Sequence, residues 1–226
     1  MQNGSQTGQI MSNDTNANFF ETGSDETERL ALEECVKRQR FDQRVSVLVI
    51  PAGRCELAVK FARLGARVVV ADNATQKSEI ESRILTSSQQ DNIAYIEGEL
   101  THFPESPPGD PFDIIVVRRG LSALPYEQAR QIVRQLLLNL KIGGRLYVSI
   151  LGLHSELGDA YADGDKPIEQ RFAKLSPALA KKYNIHGEIC LYSERNLFML
   201  LLDAGTSVLR TMTTTHGNVK AIGVRV

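Results

Sequence analysis

Residues 45–72 read VSVLVIPAGRCELAVKFARLGARVVVAD. The stretch opens on a β-branched run, 45–50, that stops at Pro51-Ala52-Gly53. Over 56–64 the apolar residues Leu57, Ala58, Phe61 and Leu64 fall at helical spacing, and Gly65 supplies a helix stop. A second run, 67–71, is continuous Arg-Val-Val-Val-Ala and closes on Asp72. Strand, helix, strand in this order is a βαβ unit, whose parallel strands need a right-handed crossover. Uninterrupted Val and Ile runs, rather than alternation, fit strands covered on both faces.

The rhythm continues downstream. Residues 75–88 read as a polar helix with Ile80, Ile84 and Leu85 inward, and 93–96 as a third strand followed by Glu97-Gly98-Glu99. Four prolines (Pro104, Pro107, Pro108, Pro111) make 103–111 a loop, and FDIIVV at 112–117 is a fourth strand. Residues 126–140 form the clearest helix, with Ala129, Ile132, Val133, Leu136, Leu137 and Leu140 on one face and Pro125 at its start; Gly143-Gly144 ends it before a fifth strand at 145–150. Residues 151–191 are loop-rich, with one helix near 167–182. A helix at 194–204 capped by Ser193, a strand at 206–213 and a strand at 219–226 follow, the last two paired antiparallel at a sheet edge. The fold class is α/β, a doubly wound, mostly parallel sheet.

The N-terminal end differs. Residues 1–24 are rich in Gln, Asn, Gly, Ser and Thr, too polar to offset their ordering entropy, and read as a disordered tail. The alternative reading is a partner-binding arm. The tail has neither the basic start nor the apolar run of a secretory signal, so a cytoplasmic location is expected. Residues 25–40 predict a helix with Ser24 as N-cap, acids at its start, Lys37, Arg38 and Arg40 at its end, and an apolar face of Leu30, Ala31 and Cys35. Residues 25–226 are then one domain, with 151–191 as an insertion on the ligand side.

Composition narrows the function. In 226 residues, 26 Lys+Arg against 27 Asp+Glu leave a net charge of -1, without the basic excess of a general nucleic-acid binder. No apolar run reaches the roughly 20 residues a membrane span needs. Three scattered cysteines, Cys35, Cys55 and Cys190, suit a reducing compartment and exclude a four-thiolate zinc site. The acids Asp159, Asp163, Asp165 and Glu169 are out of register for a calcium loop, so no metal is expected.

In doubly wound sheets ligands bind at the carboxyl ends of the strands. The residues there are Pro51-Ala52-Gly53-Arg54-Cys55, Asp72-Asn73, Gly98-Glu99-Leu100 and Arg118-Arg119-Gly120. An acid about 20 residues past the first loop suits a ribose diol; it equally suits the cap of a turn. GxGxxG is missing, which argues against a dinucleotide-dependent dehydrogenase.

In order and spacing, 45–74, NIAYIEGEL, FDIIVVRRGLSALP and LLLNLKIGGRLYVSI resemble the class I S-adenosylmethionine-dependent methyltransferases. The resemblance implies a seven-stranded sheet with the last strand antiparallel. It implies S-adenosylmethionine as cofactor, with its methionine part over Pro51, Ala52, Gly53 and Arg54, its ribose near Asp72 and Asn73, its adenine near Gly98, Glu99 and Leu100, and Arg118 beside it. The family's first motif is an acid, an apolar residue and three glycines at alternate positions. Here those positions hold Val49, Pro51, Gly53 and Cys55, so only the central glycine remains. Proline fixes φ and removes a donor, and Cys55 adds a side chain. Weakened cofactor binding on an unchanged fold is the expected result.

Methyl transfer from a sulfonium needs chiefly in-line positioning. The acceptor is expected to be a small molecule held by Arg119, His154, Glu156, Tyr161 and Arg171, with His186 a further candidate. Each also has a plainer reading as a surface or packing residue. No catalytic residue is assigned. A non-catalytic binding or scaffold module is the runner-up.

Overall fold

The protein is described here by a computed structural model covering residues 25–41, 44–103 and 111–226. The polar tail, Ser24 and most of the proline-rich loop lie outside those residues. The chain runs α1 (Glu26–Gln39), β1 (Ser46–Ile50), α2 (Glu56–Arg63), β2 (Arg67–Asp72), α3 (Lys77–Thr86), β3 (Ile93–Glu97), β4 (Phe112–Arg118), α4 (Tyr126–Leu138) and β5 (Leu140–Ile150). The insertion contributes β6 (Ala173–Lys174), α5 (Pro177–Tyr183) and β7 (Glu188–Ile189), and α6 (Glu194–Asp203), β8 (Ser207–Thr213) and β9 (Val219–Val224) complete the chain.

Seven strands form one sheet in the order β3-β2-β1-β4-β5-β9-β8. β1 to β5 pair in parallel, and β9 is antiparallel to both β5 and β8. This is the expected doubly wound sheet with its antiparallel last strand. Alternate residues of the central strands feed two cores. Leu48, Ile50, Ile115 and Val117 pack with Leu136, Leu197 and Leu200 of α4 and α6. Val47, Val49, Ile114 and Val116 pack with Ala31, Cys35, Leu57 and Phe61 of α1 and α2. Burial on both faces is why these strands read as unbroken apolar runs.

α1 crosses the second face and is tied to the sheet by charge as well as by apolar contact. Asp25, rather than Ser24, caps it, accepting from the N–H groups of Thr27 at 2.8 Å and Glu28 at 3.3 Å. Glu34 pairs with Arg38 and Arg145, each at 2.8 Å. Asp113 takes Lys141 at 2.9 Å.

Four local expectations are corrected. Leu85 is 67% exposed, because α3 turns only Ile80 and Ile84 inward. The helix expected over 126–140 ends at Leu138, and Leu140 already pairs with Phe112 in β5. Gly143-Gly144 therefore kinks a strand rather than stopping a helix. Gly143 has φ +75, and a Cβ on Gly144 would lie 2.7 Å from the Lys141 carbonyl. The helix expected near 167–182 is shortened to Pro177–Tyr183, since Ala173 and Lys174 pair with Ile189 and Glu188.

Candidate functional site

The chain leaves β1 toward β2 on one side and enters β4 on the other. The crevice between β1 and β4 is thus the topological switch point, where ligands of such sheets sit. Its first wall is the loop 51–55. The Ala52 N–H donates to Ala71 O at 2.9 Å and the Cys55 N–H to Ala52 O at 3.1 Å, closing a tight turn. Gly53 and Cys55 both hold left-handed backbone, φ 53 and φ 57, and Cys55 is buried at the first turn of α2. Val49, where the family pattern has an acid, is wholly inside the core under α1.

Asp72 ends β2 with its carboxylate buried beside this loop. One oxygen accepts from the Asn73 N–H at 2.9 Å; the other, Oδ2, is buried and faces the loop amides of Gly53 and Ala52 without a well-aligned hydrogen bond. Burial pushes this carboxyl above the usual range and the neighbouring Glu99 adds to the effect, while the amides of Asn73, Gly53 and Ala52 oppose it. The turn-cap alternative falls to the next residue: the Asn73 side chain, not Asp72, accepts from Thr75 N–H at 3.1 Å. The Tyr95 hydroxyl reaches the carbonyls of Asp72 and Asn73 at 3.0 and 3.1 Å, and the Gly98 N–H donates to Asp72 O at 3.0 Å. β2 and β3 therefore end as one braced unit around the carboxylate.

Beyond Gly98 and the exposed Glu99, Leu100 turns inward and is 8% exposed. It reaches Gly120, on the far wall of the crevice. Arg119, before it, is left-handed at φ 58 and donates its N–H to Ser149 O at 2.7 Å. Arg118 does not stand free: its Nε lies 3.2 Å from Glu28 Oε1 of α1. Burial raises the Glu28 carboxyl and Arg118 opposes that shift.

The insertion is a small unit with its own apolar cluster, Leu151, Leu157, Tyr161, Leu175, Tyr183, Ile185, Ile189 and Leu191. Two of the expected acceptor residues hold it together. The Tyr161 hydroxyl donates to Ile189 O and accepts from Ala173 N–H at 3.2 Å. Arg171 is buried and donates to Leu191 O at 3.0 Å, Lys166 O at 2.8 Å and Asn196 Oδ1 at 3.2 Å. Tyr161 bonds within the insertion, and Arg171 ties the insertion to Asn196 of α6. His186 lies on the surface against Asn184 Oδ1 at 2.8 Å.

His154 and Glu156 are brought together. With Ser155, Lys182, Tyr183, Thr215 and His216 they line a cavity of about 290 Å³. Glu156 is bound by Lys182 at 2.5 Å and by the Tyr183 hydroxyl, and both contacts hold its carboxyl below the usual range. Lys182, Tyr183, Thr215 and His216 are absent from the sequence-based set. One signal for His216 was available: β8 runs parallel to β5, so the hairpin to β9 must lie at the carboxyl ends of the strands. The hairpin docks tightly, since a Cβ on Gly152 would meet Gly217 O at 1.7 Å.

No protein-family model and no curated protein sequence matches the chain. Solved structures do. The apo form of the S-adenosylmethionine-dependent methyltransferase SibL superposes with a TM-score of 0.60 at 16% identity, over 88% of this chain and 55% of that one. Magnesium protoporphyrin IX methyltransferase (ChlM) from Synechocystis PCC 6803 with bound SAH gives 0.59 at 16% identity, over 93% of each chain. The [4+2]-cyclase SpnF gives 0.58 at 19% identity, over 84% of this chain and 60% of that one. Against the first three similar structures the chain spans only 55 to 59% of their length. The fold is the Rossmann-like fold of the class I S-adenosylmethionine-dependent methyltransferases. It also carries a cyclase, so the reaction has to be argued from this chain's own site.

Proposed function

We propose that the protein binds S-adenosylmethionine and transfers its methyl group to a small-molecule acceptor. The observation that carries this reading is Asp72 Oδ2, a buried carboxylate oxygen at the end of β2 that no well-aligned hydrogen bond satisfies. Such an atom costs stability unless something donates to it. A ribose hydroxyl is the donor that suits its position beside the first loop, and Asp72 would hold it with a charge-assisted bond. Asn73, Gly98 and Tyr95 keep Asp72 in place.

Bound there, the cofactor supplies an activated methyl on a sulfonium, and the protein's task is orientation. Ala52, Gly53 and Arg54 line the side expected to take the amino-acid end. The cavity of His154, Glu156, Lys182, Tyr183 and His216 suits the polar part of a small acceptor. Its imidazoles belong to the side-chain type that most often serves as general base for an oxygen or nitrogen nucleophile. The absence of a basic excess agrees with a small acceptor. Among the described residues no helix is long and apolar enough to cross a membrane.

The second reading, a non-catalytic module on the same fold, is favoured by Val49 in the core and by the side chains of Pro51 and Cys55 in the first loop. The test is calorimetric titration of the pure protein with S-adenosylmethionine and S-adenosylhomocysteine. Binding that Asp72→Ala weakens about tenfold or more supports the adenosyl site, and turnover of S-adenosylmethionine to S-adenosylhomocysteine with an acceptor separates the enzyme from a binding module. A titration without heat, with no rise in Tm, removes the enzyme and leaves the second reading.

A further inference from the structure

We propose that Leu100 is the residue that limits nucleoside binding in this protein: its side chain fills the switch-point crevice and must rotate away before an adenosyl ligand can occupy it. The inference rests on the adenosyl reading of Asp72 and adds to it a built-in obstruction.

The geometry is specific. A Cβ placed on Gly120 would lie 2.3 Å from Leu100 Cδ1, 3.5 Å from Leu100 Cγ and 3.6 Å from Pro51 Cδ. The Leu100 methyl therefore rests directly on the Gly120 backbone, with the Pro51 ring alongside. These residues come from three different strand ends. Leu100 follows β3, Pro51 follows β1 and Gly120 follows β4. β3 and β4 are three strand positions apart, about 14 Å at the usual spacing. Because Leu100 reaches Gly120, residues 98–100 cross over the ends of β2 and β1 at the mouth of the crevice. Leu100 is nearly buried there, in one cluster with Ile50, Ala71, Phe103, Val117 and Leu121.

Two features make this a plug rather than ordinary core. Gly98, two residues earlier, is bonded to the backbone of Asp72, whose buried Oδ2 no well-aligned hydrogen bond satisfies. The atom against Gly120 is also the tip of a flexible side chain on a three-residue turn, Leu100–His102, so rotation about χ frees the space without moving the sheet. Pro51 has no such freedom, which makes Leu100 the movable part.

The test is titration of S-adenosylhomocysteine, and separately adenosine, into wild type, Leu100→Ala and Leu100→Val. Removing the side chain spares the ligand the cost of displacing it, so Leu100→Ala should bind about tenfold more tightly, with Leu100→Val between. Adding Asp72→Asn to Leu100→Ala should cancel the gain. Leu100→Val withdraws both δ-methyls but keeps a branched side chain, and it carries the test if the alanine variant loses its fold. Equal or weaker binding by both variants, with a wild type that binds, overturns the plug and leaves the adenosyl reading standing. No binding by any form at millimolar ligand overturns both.

A ligand-free readout addresses the contact itself. Gly120→Ala should lower Tm clearly in wild type and far less in the Leu100→Ala background. Equal losses in the two backgrounds would mean that Leu100 does not rest on Gly120, and the proposal fails.

Discussion

Lys220 is 2% exposed, and its Nζ lies 2.7 Å from Asp25 Oδ1. A lysine on β9 is thus neutralised by the residue that caps α1, coupling the first described element to the last strand of the chain. One carboxylate does both jobs, because the same Oδ1 accepts from the first-turn N–H groups of Thr27 and Glu28. Asp25→Ser keeps a capping oxygen and removes the charge; Asp25→Ala removes both. The serine variant should lose about 1–3 kcal/mol, the worth of a charge-assisted bond to a buried cation that keeps the more distant Glu28 carboxylate. The alanine variant should lose about 1 kcal/mol more. Urea unfolding measures both, and equal stabilities for Asp25→Ser and wild type would refute the coupling.

Asp72 is expected to trade stability for binding. Its carboxyl is raised in the folded protein, so the native state holds that proton more tightly than the unfolded chain does. Its contribution to stability is therefore best below the unfolded value near 3.8, and it is lost as pH rises through the folded one. Asp72→Asn should raise Tm at neutral pH, and the gain should fade toward pH 3. A variant less stable than wild type at neutral pH would count against this account.

The contact between the insertion and the β8–β9 hairpin leaves no room for a methyl group. Gly152→Ala would place its Cβ 1.7 Å from the backbone carbonyl of Gly217, which no side-chain rotation relieves. A loss of about 2–3 kcal/mol is expected, as for overpacking of a tight contact. Hydrogen exchange should show the damage concentrated in 151–158 and 214–218, bordering the His154–His216 cavity. Uniform loss of protection would argue that the hairpin is not locally docked.

The cysteines offer a check on burial. Burial pushes Cys35 up to about 11 and Cys190 up to about 12, so neither forms an appreciable thiolate near neutrality. Iodoacetamide at pH 8 should leave both unmodified in the folded protein and label both in urea, read by mass spectrometry. Rapid labelling of either in the native state would contradict the packing.

Sequence by itself determined the layer structure. Two-sided burial forces Val47–Ile50 and Ile114–Val117 to be apolar at every position, so their runs are visible without coordinates, and the connecting helices follow from spacing. It also placed Asp72 at the end of the second strand, because position at a strand end is a matter of counting. Side-chain partnerships were not legible. Arg118 meets Glu28, and Lys220 meets Asp25, across sequence separations that no local pattern encodes. Tyr161 and Arg171 read as ligand residues because polar side chains in a loop-rich segment look the same whether they face a pocket or tie loops together. Tertiary structure alone showed them tied. The same holds for Leu100: in sequence it is one apolar residue after a strand. Only the approach of three strand ends sets its methyl on Gly120, at the place where a ligand of this fold would lie.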